Sequence, residues 1–128
     1  MKTRVNTFED LLAWQHAREL TRAVYRATSS GRLAADRALS SQLRRASSSV
    51  MANIAEGFER GRRAEFHQFL SVAKGSCAEV RSFLYVALDA GFLDQESFEL
   101  LLNLALSVSR IVARLRMAVA KQRDARRK

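Results

Sequence analysis

SQLRRASSSVMANIAEGFERGRRAEFHQFL, residues 41–70, is the stretch that decides the fold of this chain. Leu43, Ala46, Val50 and Ile54 recur at spacings of three and four, while Arg44, Arg45, Asn53 and Glu56 fall on other faces, the pattern of an amphipathic helix. Gly61 is the turn signal, and the same spacing resumes at Phe66 and Phe69. The segment therefore reads as two helices joined by a tight turn. Such a hairpin leaves apolar faces open, and the flanking chain must supply helices to cover them.

Downstream, Phe66, Phe69, Ala73, Cys77, Val80, Leu84 and Ala87 keep helical spacing throughout, giving a helix over about 62–90 with Gly91 at its C-cap. Cys77 falls on this seam and reads as a small core residue. Asp94 caps a further helix over about 94–123, with Phe98, Leu101, Ala105, Val108, Val112, Leu115 and Val119 on one seam. Leu100, Leu104 and Ile111 form a second strip on that helix, more apolar surface than one bundle buries, which predicts another subunit. Upstream, Asp36 caps the helix of the opening stretch, which spans about 36–60; Ser47, Ser48, Ser49 and Gly57 are small enough to admit a close neighbour. A first helix over about 8–29 carries Ala13, Ala17, Leu20, Val24 and Ala27, with Thr7 as N-cap and Asp10 as its capping partner, and ends at Ser29-Ser30-Gly31.

Four helices of matched length with short connections predict an all-α, antiparallel, up-down-up-down four-helix bundle, with residues 1–128 as a single domain and a basic tail over 121–128. The absence of proline and the scarcity of glycine, five in 128 residues, suit long helices. The lone Cys77 excludes an intrachain disulfide, and no apolar run approaches the ~18 residues of a membrane span, so a cytoplasmic location is expected.

The chemistry of catalysis is missing from the sequence. His16 and His67 lack the ligand spacing of a metal site, the Glu-x-x-His pairs of di-iron bundles are absent, and Gly57 and Gly61 belong to no phosphate loop. No enzyme and no cofactor are expected. Asn53 and Glu56 are read as polar groups that fix register by hydrogen bonding across helices or between subunits.

Charge is the one functional signal. The net charge is +9, distributed as +6 over residues 1–63, −4 over 64–109 and +7 over 110–128. Arg44 and Arg45 lie along the second helix, Arg60, Arg62 and Arg63 crowd the turn, and Arg110, Arg114, Arg116, Lys121, Arg123, Arg126, Arg127 and Lys128 crowd the end of the fourth helix. In an up-down bundle the turn and the end of the fourth helix share a pole, so those two clusters are expected to converge. Arginine forks contact phosphate oxygens bidentately and without reading sequence, which makes RNA or DNA the expected partner. The competing reading of the same residues is a merely solubilising surface.

The segments FEDLLAWQHARELTRAVY, SQLRRASSSVMANIAEGF and EFHQFLSVAKGSCAEVRSFLYVALDAGFL resemble the four helix bundle protein family, also called 23S ribosomal RNA intervening-sequence proteins, from Phe8 to Leu93. The resemblance implies a bundle that assembles as a homopentameric ring, without enzymatic activity. It also implies a relation to the accessory protein of diversity-generating retroelements, in which a basic pentamer engages reverse transcriptase and nucleic acid, so a protein-interaction scaffold is the alternative function. Two departures stand out: Met51 where the family often has Pro, and Arg62 where it commonly has Ser or Thr, which removes a side-chain N-cap.

Overall fold

A computed structural model of the chain describes residues 4–127, with side chains as far as residue 122. All regular structure among the described residues is helical. A 3-10 turn, Phe8–Asp10, precedes α1 (Leu12–Ala27), α2 (Gly31–Ala35), α3 (Arg37–Glu59), α4 (Arg63–Asp89) and α5 (Gln95–Arg127).

The four long helices close into a bundle in which α3 packs on α1 and α4, and α5 packs on α4 and α1. Contacts between them run in opposite register. Arg44 meets Thr28 and Thr21 meets Ser47; Ser49 meets Ser76 while Gly57 meets Phe66; Ser71 meets Arg116 while Arg63 meets Gln122. Each sequential pair is therefore antiparallel, and the α1–α3 edge lies opposite the α4–α5 edge. The core is the set of seams that face inward: Ala17, Leu20, Val50, Ile54, Ala73, Cys77, Val80, Leu84, Ala105 and Val112 are all fully buried.

Helix starts follow side-chain chemistry. The Asp36 carboxylate accepts from the Leu39 N–H at 2.9 Å, and the Asp94 carboxylate accepts from the Ser97 N–H at 2.7 Å, which holds Asp94 below the usual carboxylate range. Arg62 precedes α4 without a side-chain cap. Gly61 makes that turn instead, with φ at +75°, a conformation that costs an L side chain energy. Helix α3 runs unbroken through Met51.

Three features depart from the expected elements. The first helix is not continuous from Phe8: Leu11 is extended (φ −72°, ψ 127°) and buried, so the chain breaks helical geometry there to put an apolar side chain inward. Asp10 turns back to accept from the N–H groups of Asn6 at 2.9 Å and Thr7 at 3.1 Å. The connection after Ser30 contains α2, anchored by the buried Leu33 and by Arg32, whose guanidinium lies 5.6 Å over the Phe92 ring at the α4–α5 turn. The lengths also differ, because α1 has 16 residues and α5 has 33. With no glycine or proline after Gly91, nothing local stops α5, and it continues past Val119, the last buried side chain described.

The second apolar strip of α5 is partly absorbed. Leu104 and Ile111 pack against the core, whereas Leu100 remains 65% exposed. Met117 on α5 and Tyr85 and Val86 on α4 are exposed as well.

Candidate nucleic-acid interface

Each candidate cation sits where its helix register places it, and the structure sorts the candidates into three groups. At the α3–α4 turn, Arg60 donates to Glu56 at 2.9 Å and to Glu65 at 3.4 Å, and its guanidinium lies 5.3 Å over the Phe69 ring. The two carboxylates raise its pKa and offset its charge. Arg62 is exposed. Arg63 is half-buried and its Nη1 donates to Gln122 Oε1 of α5, so the turn and the last part of α5 do meet at one pole.

From that pole a cationic strip continues along the α4–α5 edge. Arg116 turns toward α4, its Nε donating to Ser71 Oγ at 2.7 Å. Beside this bond lies an open groove of about 280 Å³ to which α4 contributes Lys74 and Arg81. Its floor is made of the small residues Ser71, Gly75, Ala78 and Ser109, and no carboxylate lines it. The Arg81 Nε is buried and has no hydrogen-bond partner among the described residues. Arg110, Arg114 and Lys121 are exposed on α5.

Lys74 and Arg81 are absent from the sequence-based candidates because residues 64–109 carry a net −4, which masks two cations inside an acidic stretch. The available signal was their separation of seven on the helix face that also holds Gly75 and Ala78.

Arg44 and Arg45 belong to neither pole nor groove. They lie on the α1–α3 edge, about 24 Å up α3 from Arg60 at 1.5 Å per residue. The side chains of Arg123, Arg126 and Arg127, and all of Lys128, lie outside the described residues.

Among the described residues, Arg60 is the one lysine or arginine that pairs with a carboxylate.

The two polar candidates do not meet each other. Asn53 Nδ2 donates within its own helix, to Ser49 O at 2.8 Å and Ser49 Oγ at 3.0 Å. It reaches α4 only through the Ser49–Ser76 hydroxyl pair at 2.9 Å. Glu56 is surface-exposed and holds Arg60. Among the described residues, then, neither bonds directly across helices.

No group of three His, Cys, Asp or Glu side chains among the described residues could hold a metal ion, and no described helix is long and apolar enough to cross a membrane. Burial pushes the Cys77 thiol up to about 11, against the opposing influence of Arg81 and Lys74, so it stays neutral within the core.

The family model for the 23S rRNA-intervening sequence protein matches residues 9–114. A crystal structure at 1.70 Å of a protein with unknown function from the S23 ribosomal protein family of Bacteroides thetaiotaomicron superposes with a TM-score of 0.74 at 19% identity, covering 81% of this chain and 97% of that one. At that identity the likeness establishes the fold alone. No curated protein matches the chain.

Proposed function

Because the chain belongs to the 23S rRNA-intervening sequence protein family, we propose that it is a non-enzymatic, oligomeric nucleic-acid-binding protein that holds RNA or DNA through phosphates. The observation that carries this reading is the strip of carboxylate-free cations from Arg62 and Arg63 at the pole, past Arg116, to Lys74 and Arg81. Along α4 the strip runs about 27 Å from Arg63 to Arg81 at 1.5 Å per residue. That length matches about eight base pairs at 3.4 Å of axis per phosphate on each strand. Phosphate contacts of this kind position a helix without reading its bases. The low aromatic content, 8%, leaves few platforms on which single-stranded bases could stack.

Oligomerisation, in a ring of five as the family resemblance implies, would repeat the strip and multiply weak contacts by effective concentration. The exposed Leu100, Met117, Tyr85 and Val86 support a contact between copies. A cytoplasmic site of action completes the proposal.

The test is binding of labelled structured RNA and duplex DNA across a salt series. Several phosphate contacts give a steep linear fall on logarithmic axes, about 0.9 per contact for duplex DNA. Arg62→Glu and Lys74→Glu should each flatten the slope by roughly one contact. Unchanged affinity and slope in both variants would overturn the assignment of the α4–α5 edge. The same exposed apolar side chains favour a second reading, a protein-interaction scaffold such as an accessory subunit for a reverse transcriptase. Purification with a stoichiometric protein and no nucleic acid would select it.

A further inference from the structure

The edge of the bundle opposite the α4–α5 groove carries its own concentration of positive charge. An open groove of about 450 Å³ lies there between α1, α2 and the first half of α3. Three guanidinium groups border it, from Arg37, Arg44 and Arg45, and no carboxylate does.

The placement follows from the period of α3. Arg37, Ser41 and Arg45 succeed each other at intervals of four, so they share one strip of the helix, and Arg44 and Ser48 lie beside it on the next. Arg37 is the first residue of α3, where the helix macrodipole disfavours a cation. Positive charge is thus gathered against the local preference of the helix. Asp36 already caps the N-terminus of α3 through the Leu39 N–H, so an anion in the groove would be attracted by the guanidinium groups.

Arg44 is already oriented. Its guanidinium carbon lies 4.4 Å over the Tyr25 ring, and its Nε donates to Thr28 Oγ1 at 2.8 Å. Its Nη2 makes longer contacts of 3.4 Å with Thr28 O and Ser29 Oγ. Nη1 has no hydrogen-bond partner among the described residues and can donate to a ligand. Arg37 and Arg45 are exposed, and among the described residues they form no ion pair and the Ser41 hydroxyl has no hydrogen-bond partner. Ser48, by contrast, is already engaged with the Arg44 carbonyl at 2.8 Å.

This is the chemistry of phosphate recognition: planar forks for pairs of phosphate oxygens, one fork held in position before binding, and a hydroxyl donor between the other two. The groove is larger than a bare phosphate requires, and Ala34 with the edge of Tyr25 adds apolar wall for an organic body. Three cations facing one site suit a dianion better than the single charge of a backbone phosphodiester.

We propose that the Arg37–Arg44–Arg45 pocket binds a phosphate monoester of mononucleotide size. A free nucleotide and the phosphorylated 5′ end of a strand present the same group, and the test separates them. It is independent of the α4–α5 edge.

The experiment is calorimetric titration of the full chain with AMP, adenosine, inorganic phosphate, and a short RNA with either a 5′-phosphate or a 5′-hydroxyl. AMP should bind and adenosine should not, with inorganic phosphate competing. Arg37→Gln and Arg45→Gln, both exposed positions, should each weaken AMP at least tenfold, whereas Lys74→Glu should leave AMP binding unchanged. Tighter binding of the 5′-phosphorylated strand than of AMP, lost with the 5′-hydroxyl, identifies the strand end as the ligand; the reverse order identifies the free nucleotide. Equal affinity for AMP and adenosine would overturn the proposal. So would AMP binding that survives both arginine substitutions in chains shown by circular dichroism to be folded, or no AMP binding at millimolar concentration.

Discussion

Replacing Gly57 with alanine tests the packing of α3 on α4 directly. A Cβ built on Gly57 falls 2.6 Å from Phe69 Cβ and 3.0 Å from Phe66 Cδ1. Carbon atoms rest at about 3.5–4 Å, so the two helices must part by roughly 1 Å at this crossing. The obstructing atom, Phe69 Cβ, is fixed to the backbone and has no rotamer that would clear the path. Overpacking of this kind costs about 1–3 kcal/mol, and the better helix propensity of alanine returns at most about 1 kcal/mol. A net loss of about 1–2 kcal/mol is expected, or a fall in Tm of roughly 4–8 °C for a chain of this size. Gly75 supplies the internal control, since its added Cβ meets nothing within 4 Å. Gly75→Ala should therefore gain up to about 1 kcal/mol from propensity alone. Thermal melts of the three proteins at one concentration, followed by circular dichroism at 222 nm, decide the matter. Gly57→Ala melting as high as Gly75→Ala would refute the argument that the α3–α4 approach requires glycine.

Two further outcomes follow from single residues. The Cys77 thiol should resist modification by a thiol reagent in the native protein and react at once in denaturant. Because burial raises its pKa, the stability linked to the neutral thiol is intact below about 9 and declines as the pH climbs toward about 11; pH-dependent melts should show Cys77→Ala without that component. Asp36→Ala removes the bond to the Leu39 N–H and should cost about 1 kcal/mol in urea denaturation, with Asp36→Asn recovering most of it.

The helices were legible in the sequence because their signals are local. Spacings of three and four, Asp36 and Asp94 at caps, and Gly61 and Gly91 at turns all act within a few residues of themselves. The break at Leu11 was not legible, because an extended residue there is favoured only by burying Leu11 in a core assembled from distant helices. The short α2 escaped for a similar reason: Leu33 needs the bundle interior, and Arg32 needs the Phe92 ring.

The charged surface divides along the same line. From the sequence alone came the all-α bundle and the crowding of basic residues at the turn and along the last helix. Only the tertiary structure decided which charges lie together. It neutralised Arg60 with Glu56 and Glu65, placed Arg44 and Arg45 on the far edge, and drew Lys74 and Arg81 out of an acidic segment to stand beside Arg116. Helical periodicity fixes the face of each residue on its own helix. Which faces become neighbours depends on packing between segments 30 to 60 residues apart, such as Ser71 with Arg116 and Arg63 with Gln122, and that information resides in the folded bundle.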